Sequence, residues 1–360
     1  MLTRSEILRY QRHFTLPNVG TDGQKKLKSA SILCVGAGGI GSPVALYLAA
    51  AGIGRIGIID HDTVELSNLQ RQILFQTSDI GELKADCALN HLSNLNPEIE
   101  VIAYSKKLTL ENACELIKSY DLVIDGSDNF TTRYLINDAC VAVRQSFISA
   151  SIFQSEGSLG LFNHKSQGCY RCLFPEEPPL SAIPTCNTAG VFGATVGVIG
   201  TMTANLVLNF ITETGLESLS RFHTFNSHTF ETQSFEFQKD PKCLCYTHKK
   251  IIAPAPMPEK LSIKSEITAS NLQKIMRSGH PYRLIDIREQ WERDAYHIPG
   301  DEHILMNDII EHSFKENQKI ILYCKMGVRS KIAMDMLAEI HPSTYFHSLI
   351  GGTVAWKDYD

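Results

Sequence analysis

A glycine-rich turn, GAGGIG, lies between two short apolar runs and has the residue types that hold a phosphate. Gly36, Gly38 and Gly41 have the spacing of dinucleotide-binding turns, and Gly39 is an additional glycine. Glycine lets the backbone approach a phosphate closely, and a following helix offers free N–H groups and a positive dipole. Asp60 ends the next apolar run, where a carboxylate can accept hydrogen bonds from ribose hydroxyls. By itself this pattern is most typical of NAD or FAD binding in a dehydrogenase.

The polar residues around this turn are unlike those of a dehydrogenase. They combine cations, hydrogen-bonding side chains and a carboxylate near a strand end: Arg12, Ser67, Asn68, Arg71, Lys84, Asp128 and Asn129. Any one of the cations alone is more typical of a solvated surface, but the joint set suits a triphosphate. Arginine and lysine offset phosphate charge, and an aspartate such as Asp128 can hold Mg²⁺. Because no GxxxxGK[ST] segment is present, a P-loop enzyme is excluded.

Two closely spaced cysteine pairs have metal-binding potential. Cys169 and Cys172 form CYRC, and Cys243 and Cys245 form CLC. Four thiolates make a structural tetrahedral zinc site, although one CxxC is also typical of a redox pair. The chain has ten cysteines and begins without a signal-like apolar segment, which favours reduced thiols, metal ligands or catalysis over a disulfide framework. We expect Zn²⁺ at the two pairs and a cytoplasmic location.

A further cysteine follows the apolar run KIILY and opens the segment CKMGVRS. Four residues separate Cys324 from Arg329, whereas the phosphatase loop needs five to cradle a phosphate. Loop N–H groups and the dipole of the following helix would stabilise an anion at Cys324. The shorter loop therefore favours a sulfur anion, such as a thiolate or a persulfide.

The elements that must position these residues alternate between strands and helices. SILCV, RIGIID, IEVIAYS and DLVIDGSDN predict strands, and residues 42–51 and 112–120 predict helices, which together indicate a Rossmann-like, doubly wound α/β sheet. The segment 249–260 is rich in proline and predicts a linker. Beyond it, YRLIDIRE, KIILYC and SKIAMDMLAEI predict a second, smaller α/β domain. We therefore expect domains at residues 1–248 and 261–360.

Charge and hydropathy disfavour two classes of partner. The net charge of −5 disfavours a dedicated nucleic-acid binder, which usually has a basic excess. The stretch from Gly190 to Ile211 has no charged residue and is long enough to raise the question of a membrane span. Its many glycine, threonine and asparagine residues fit a helix buried in protein better than a helix facing lipid. We expect no membrane partner.

The segments GAGGIG, DHDTVELSNLQRQ, ELKAD and SDN together resemble the MoeB/ThiF group of ubiquitin-activating-type adenylating enzymes. The resemblance runs from about Ile7 to Tyr246. It implies that Mg·ATP is bound and that the C-terminal glycine of a ubiquitin-like sulfur carrier of the MoaD/ThiS type is adenylated. It implies that Asp128 is the metal ligand, and that the nucleotide site is lined by Gly39, Asp60, Ser67, Asn68, Arg71, Lys84, Asp128 and Asn129.

The same resemblance has implications outside the nucleotide pocket. Arg12 matches an arginine that the second protomer contributes, which implies a homodimer with two composite sites. The family's zinc site uses two CxxC pairs, so the CxC of Cys243 and Cys245 departs from the pattern, and His248 is an alternative ligand. Cys186 matches the family's acyl-accepting or resolving cysteine, which in relatives is variously a thioester former, a partner in an acyl disulfide, or dispensable.

The C-terminal domain resembles a rhodanese throughout its length. LIDIREQWERDAYHIPGDEHI and LIGGTVAW match family segments, and CKMGVRS has the six-residue loop of active sulfurtransferases. The resemblance implies that Cys324 is the nucleophile, with Arg329 closing its loop. It implies that Asp286 and Arg288 have a structural or loop-supporting role, and that His297 and Gly300 form a turn.

An adenylating domain followed by a rhodanese predicts a sulfur relay within one chain. The carrier would be activated by ATP, and a Cys324 persulfide, loaded by a cysteine desulfurase or by thiosulfate, would convert the activated end into a thiocarboxylate. The resemblance leaves molybdopterin, thiamine and tRNA thiolation open as pathways. The alternative is an activator that passes its carrier to a conjugating enzyme, with the rhodanese acting only as a docking module.

Overall fold

A computed structural model of the chain describes residues 1–176, 190–248, 264–277, 281–315, 318–341 and 344–357. The described residues up to 248 belong to one compact unit, and those from 264 onward belong to a second unit. The predicted linker at residues 249–260 and the predicted reactive cysteine Cys186 lie outside the described residues. The linker bounds and the role of Cys186 therefore stay predictions.

Eight strands form the sheet of the first unit: β1 (Ser31–Val35), β2 (Arg55–Ile59), β3 (Glu100–Tyr104), β4 (Leu122–Asp125), β5 (Phe147–Phe153), β6 (Glu156–Phe162), β7 (Arg221–Asn226) and β8 (Thr232–Glu236). Their order is β3-β2-β1-β4-β5-β6-β7-β8. Strands β1 to β5 pair in parallel, and Val35 at the end of β1 lies opposite both Ile59 and Asp125. The carboxyl ends of β1, β2 and β4 are therefore level with one another.

The sheet is covered on both faces, as a doubly wound fold requires. Ile32 and Cys34 pack into one apolar cluster, whereas the alternate residues Leu33 and Val35 pack into another. This alternation places the two clusters on opposite faces of the sheet. The helices of the unit are Arg4–Phe14, Gly20–Ser29, Gly41–Ala51, Lys84–Leu95, Ala113–Lys118, Phe130–Val143, Tyr170–Leu173, Gly193–Thr212, Leu216–Leu219 and Leu244–His248. The Rossmann-like fold predicted from the sequence is confirmed.

Three strands at one edge of this sheet were not foreseen. Strands β6, β7 and β8 pair antiparallel, so the sheet is mixed. Strand β6 has the sequence EGSLGLF, whose glycines weaken the local strand signal. Gly157 is required by packing, since a Cβ there would lie 2.2 Å from the side chain of Ile199. Long-range pairing, and not local propensity, selects the strand here.

The uncharged helix Gly193–Thr212 is long and apolar enough to cross a membrane by length and composition. In this fold it packs on the sheet and on a neighbouring helix. A Cβ at Gly200 would lie 2.3 Å from Pro43, and Ile199 and Thr203 are completely buried. Of the most apolar window of this helix, 44% is buried in the fold, so packing against protein accounts for part of its composition.

The second unit has a five-stranded sheet formed by β9 (Lys264–Ile267), β10 (Arg283–Asp286), β11 (Glu302–His303), β12 (Lys319–Tyr323) and β13 (Tyr345–Leu349). Their order is β11-β10-β12-β13-β9, and all pairs are parallel. The helices of this unit are Ala269–Arg277, Gln290–Ala295, Met306–Ile309, Val328–Ile340 and Gly352–Lys357. The smaller α/β architecture predicted for this part of the chain is confirmed.

Candidate functional site

The glycine-rich turn leaves the carboxyl end of β1 in a conformation that only glycine adopts easily. Gly36 has a φ of +90°, and a Cβ on Gly41 would lie 2.0 Å from the carbonyl oxygen of Gly36. A Cβ on Gly36 would also lie 3.0 Å from the carbonyl oxygen of Gly126, which follows β4. The turns after β1 and β4 are thus in close contact, at the edge where α/β folds bind ligands.

Asp60 follows β2 and contacts the same turn. Its carboxylate accepts hydrogen bonds from the N–H groups of Ala37, at 2.8 Å, and of Asp62, at 2.9 Å. Burial raises the pKa of this carboxyl group, although both N–H groups act in the opposite direction. A carboxylate oxygen has more than one acceptor site, so Asp60 retains capacity for a ribose hydroxyl.

Ser67, Asn68 and Arg71 lie on and just after a short 3₁₀ turn, Leu66–Asn68. Asn68 is buried, and its Oδ1 accepts a hydrogen bond from the N–H of Glu65. The Arg71 guanidinium donates to the carbonyl oxygen of Ser67 at 3.0 Å. A Cβ on Gly39 would lie 3.7 Å from the Arg71 side chain. The aliphatic stem of Arg71 therefore lies beside the glycine turn, and its role at the nucleotide stays a prediction.

Lys84 is the first residue of helix Lys84–Leu95. Its side chain is only 7% exposed, and its ammonium group donates to Asp62 Oδ2 at 3.0 Å. Since Asp62 also donates its N–H to Asp60, Lys84 is linked to the carboxylate predicted to bind ribose. Asp62 was missed by the sequence analysis.

Asp128 and Asn129 lie in the turn between β4 and helix Phe130–Val143. Asn129 caps this helix by accepting a hydrogen bond from the N–H of Thr132 at 2.8 Å, while the carboxylate of Asp128 is exposed. Exposure leaves that carboxylate accessible to a metal ion. The structure thus brings the turns carrying Gly36, Gly126 and Asp128 to one edge of the sheet.

A buried network supports this turn. Asp125, at the end of β4, accepts hydrogen bonds from the Ser127 hydroxyl at 2.5 Å, from Arg133 at 3.2 Å and from the Ser149 hydroxyl at 2.6 Å. Arg133 also donates to the carbonyl oxygen of Ser127 at 3.1 Å. The sequence analysis overlooked both Asp125 and Arg133. An aspartate that ends an otherwise apolar strand run, LVID, was the available signal.

Arg12 is exposed on helix Arg4–Phe14. Among the contacts of the described residues, none joins its side chain to the nucleotide edge. The structure of one chain therefore does not test its predicted role, which requires a second copy.

Three of the four predicted zinc ligands lie together. The Sγ atom of Cys169 lies 3.8 Å from that of Cys172 and 3.6 Å from that of Cys243, so the three sulfurs can reach a single ion. Cys245 is buried in the same cluster, but its Sγ contacts Asn137 and Asp138, each at 3.3 Å. Its ligation stays a prediction, and the side chain of the alternative ligand, His248, lies outside the described residues.

The chemistry of this cluster fits a soft divalent cation. Hydrogen bonding with Cys172 lowers the pKa of the Cys169 thiol, but its contact with Cys245 and its burial outweigh that effect and raise the pKa to about 12. Buried neutral thiols become metal-bound thiolates only when a cation compensates their charge. The three sulfurs are therefore suited to Zn²⁺.

In the second unit, Cys324 follows β12 and begins the loop that leads into helix Val328–Ile340. Its carbonyl oxygen accepts a hydrogen bond from the N–H of Thr353 at 2.9 Å, and the Ser330 hydroxyl lies 3.7 Å from its Sγ. A Cβ on Gly352 would lie 2.1 Å from the carbonyl oxygen of Cys324. Cys324 is only 1% exposed, at the base of a loop whose Met326 and Val328 are exposed. A sulfur donor must therefore reach it through this loop.

Arg329 is held by a two-pronged ion pair. Its guanidinium donates to both carboxylate oxygens of Glu292, at 2.7 and 2.6 Å. Burial alone would raise the pKa of Glu292, but the hydrogen bonds and charge of Arg329 hold that pKa below its ordinary value. Glu292 was not singled out from the sequence, because it lies 37 positions away in the chain.

The expected supporting residues of this unit are also observed. Asp286 and Arg288 form a buried pair with two hydrogen bonds, at 2.8 and 2.7 Å, and Tyr323 donates to Asp286 at 3.1 Å. Gly300 has a φ of +83°, which fits the predicted turn, and His297 is exposed. These contacts fasten the segment before Glu292 to β12, the strand that Cys324 follows.

Family models match both units of the chain. Residues 10–245 match the model of the ThiF family, and residues 268–359 match that of the rhodanese-like domain. The chain belongs to the ThiF family and has a C-terminal rhodanese-like domain.

Individual relatives share this arrangement. The chain is 36% identical to the probable adenylyltransferase/sulfurtransferase MoeZ of Mycobacterium tuberculosis, over 99% of this chain and 94% of the relative. It is 34% identical to the adenylyltransferase and sulfurtransferase MOCS3 of Culex quinquefasciatus, over 99% of this chain and 88% of the relative. The sulfur carrier protein adenylyltransferase of Thermus thermophilus is 43% identical over 67% of this chain and 91% of its own length.

A solved structure extends the comparison to the first unit. E. coli MccB, crystallised with AMPCPP and MccA, is 28% identical and superimposes with a TM-score of 0.58 over 66% of this chain and 74% of its own. The protein is accordingly an enzyme with adenylyltransferase and sulfurtransferase activities. The expectation of a ThiF-type enzyme is confirmed, and the docking-only alternative for the rhodanese domain is not favoured.

Proposed function

We propose that the enzyme adenylates the C-terminal glycine of a ubiquitin-like sulfur carrier and then converts it into a thiocarboxylate with sulfur carried by Cys324. The observation that carries the proposal is the presence, in one ThiF-family chain, of a cysteine loop with Cys324 at its base and Arg329 fixed beside it. The name of the Thermus relative, a sulfur carrier protein adenylyltransferase, supports the same substrate class.

In the adenylation step, the carrier carboxylate attacks the α-phosphorus of ATP, and pyrophosphate leaves with the electrons of the broken P–O bond. Two anions approach each other, so charge neutralisation and positioning lower the barrier. Arg71 and Lys84 contact the phosphates, Asp128 holds Mg²⁺, and Asp60 accepts from the ribose. Arg12 is supplied by a second copy of the chain, which makes the enzyme a homodimer.

The sulfur steps begin at the Cys324 thiolate. It takes a sulfane sulfur from a cysteine desulfurase persulfide, releasing the donor thiolate, or from thiosulfate, releasing sulfite. The terminal sulfur of the Cys324 persulfide attacks the carrier carbonyl, AMP leaves, and a carrier–S–S–Cys324 acyl disulfide forms. The Cys186 thiolate then attacks Cys324 Sγ. The thiocarboxylate leaves with the S–S electron pair, and a cellular dithiol reduces the resulting Cys186–Cys324 disulfide.

Zinc has a structural part in this proposal. Cys169, Cys172, Cys243 and Cys245 would hold Zn²⁺, which would supply structural stability to the first unit. No disulfide joins the nine cysteines within the described residues, which supports a reducing cytoplasm as the location.

The decisive experiment follows the mass of the carrier. The full chain is incubated with Mg·ATP, a purified Gly-Gly-ended carrier and either thiosulfate or a cysteine desulfurase with cysteine. We expect a mass gain that corresponds to replacement of one oxygen by sulfur. Cys324→Ala should stop this gain while ATP–pyrophosphate exchange continues at the normal rate, because the adenylation groups lie in the other unit.

Cys114→Ala, which removes a half-buried thiol of the first unit, is the matched control and should form product normally. Normal product formation by Cys324→Ala would contradict the relay. Transfer of the carrier to another protein, without a sulfur-dependent mass gain, would favour the conjugation alternative.

A further inference from the structure

Lys84 carries a charge that is almost removed from solvent. Its side chain is 7% exposed, and its ammonium group lies 3.0 Å from Asp62 Oδ2. Among the described residues, Asp62 provides the only carboxylate within ion-pair distance of this ammonium. Because a buried ammonium is costly without a counter-charge, the ion pair with Asp62, whose own side chain is 56% exposed, favours this position of Nζ before any ligand arrives.

The backbone fixes the two residues relative to each other. The N–H of Lys84 donates to the carbonyl oxygen of Asp62 at 2.9 Å, and Thr63 and Leu83 form an antiparallel bridge between them. Asp62 in turn donates its N–H to Asp60, which accepts a second hydrogen bond from Ala37 in the glycine turn. A continuous chain of contacts therefore links the turn, the ribose carboxylate and the lysine.

From this geometry we infer that Asp62 is a positioning residue for Lys84 in adenylation. The inference rests on the proposed function, in which Lys84 offsets phosphate charge. A lysine ammonium has three N–H donors on a flexible stem. One donor is occupied by Asp62, which restrains the stem, and the remaining donors face no other charged partner among the described residues. The Lys84 side chain is therefore already ordered before ATP binds, so its contact with the phosphates costs less conformational entropy.

Metal binding is the competing role for Asp62. Three neighbouring side chains have ligand atoms within 4.8 Å of one another and could together hold a cation: Asp60, His61 and Asp62. However, one oxygen of Asp62 is already paired with an ammonium, whose positive charge would repel a divalent ion. His61 Nε2 lies 3.6 Å from the other oxygen. The ion pair therefore favours a role for Asp62 in positioning Lys84 over a role in binding a metal ion.

The test is a double-mutant cycle in the full chain, with Asp62→Ala, Lys84→Ala and the double variant. Carrier-dependent ATP–pyrophosphate exchange is measured with a purified Gly-Gly-ended carrier, and Mg·ATP binding is measured separately. We expect Asp62→Ala to lower the exchange kcat by about 10- to 100-fold, with less change in Mg·ATP affinity. The double variant should be no slower than Lys84→Ala, because both changes remove the same interaction.

Asp62→Asn retains an oxygen that accepts from the ammonium, so it should recover most of the exchange rate. The apparent Mg²⁺ requirement should stay unchanged in this variant. His61→Ala removes the exposed neighbour and serves as the matched control, with normal exchange expected. Thermal melting of every variant verifies that the first unit is folded.

Three results would overturn the inference: normal exchange by Asp62→Ala, additive losses in the double variant, or an Asp62→Asn variant as slow as Asp62→Ala with a raised Mg²⁺ requirement. Each would leave the proposed function intact provided that Lys84→Ala is impaired. Normal exchange by Lys84→Ala would instead contradict the nucleotide role of Lys84 in the proposed function.

Discussion

The nucleotide edge of the first unit and the Cys324 loop of the second occupy equivalent places, since both follow the carboxyl ends of parallel strands. They are built differently. The nucleotide edge collects groups from turns after three strands and from the start of helix Lys84–Leu95. The Cys324 loop supplies its thiol and its arginine from six consecutive residues, and one remote side chain, Glu292, holds it.

The difference follows from what each site must hold. A nucleotide and a protein tail need several separated contacts, and Asp128 and Ser67 are accordingly exposed before a ligand arrives. A sulfur relay needs one atom kept from side reactions, and Cys324 is only 1% exposed. The first site therefore depends on groups brought together from distant segments, whereas the second depends on a local loop and one ion pair.

The strongest loss of activity is expected from a substitution at the nucleotide edge of the first unit. Asp128→Ala should reduce carrier-dependent pyrophosphate exchange by about 1,000-fold or more, because the metal that offsets phosphate charge would lose its ligand. Sulfur loading of Cys324 should be unchanged, since that loop is built separately. Radiolabelled pyrophosphate exchange and mass spectrometry of the Cys324 persulfide measure the two activities.

Asp22→Ala, which removes an exposed carboxylate paired with Lys25, is the control and should exchange normally. Mixing Asp128→Ala chains with Arg12→Ala chains should restore part of the exchange, because in the proposed homodimer each mixed dimer would contain one site with both groups intact. Full exchange by Asp128→Ala alone would remove its metal-holding role.

A smaller effect is expected at the cysteine cluster. Cys243→Ser should abolish stoichiometric zinc and lower the free energy of unfolding of the first unit by about 3 kcal/mol or more, because a structural zinc ion contributes directly to folding. The second unit should be unaffected. Both tryptophans, Trp291 and Trp356, lie in the second unit, so their fluorescence reports its unfolding alone.

Metal analysis of freshly purified protein supplies the zinc stoichiometry. Cys245→Ser sharpens the ligand assignment, and we expect zinc loss there too, although its Sγ contacts Asp138. Undiminished zinc in Cys245→Ser would exclude this sulfur as a ligand. Absence of zinc from the unmodified protein would contradict the site altogether.

The smallest effect concerns the ion pair behind the Cys324 loop. Glu292→Gln should lower the free energy of unfolding of the second unit by about 2 kcal/mol at neutral pH, because it leaves the Arg329 charge without its partner. The pKa of Glu292 is lower in the folded protein than its ordinary value of 4.5. The ion pair therefore stabilises the folded second unit at pH values above 4.5. This stability is lost as the pH falls through the folded value. The difference between the two proteins should therefore shrink below about pH 4.5.

Tryptophan fluorescence in urea at several pH values measures this difference. Glu302→Gln is the matched control, because Glu302 also bonds Arg283 twice but is 47% exposed. Glu302→Gln should lower the free energy of unfolding of the second unit by less than about 1 kcal/mol. An equal loss in both variants would show that the loop pair has no special importance.

Much of the fold was predictable because its central strands are continuous apolar runs. SILCV matches its observed strand, RIGIID and KIILYC each extend one residue beyond theirs, and the helix predicted at residues 42–51 begins one residue earlier. The antiparallel strands β6 to β8 were missed, since their pairing partners are remote in sequence and their glycines weaken local preference. The predicted nucleotide residues were recognisable by type, but Asp62 and Asp125, which hold two of the relevant turns, were not.

The amino-acid sequence alone determined which groups are capable of the chemistry, because glycine turns, paired cysteines and a cysteine at a strand end have that capability through residue type and close spacing. Tertiary structure decided which of them meet. Parallel pairing aligns the ends of β1, β2 and β4, and folding places Asp62 beside Lys84 and Glu292 beside Arg329. Such contacts join distant segments, and their energy depends on burial and on the partner's position, which local sequence does not encode.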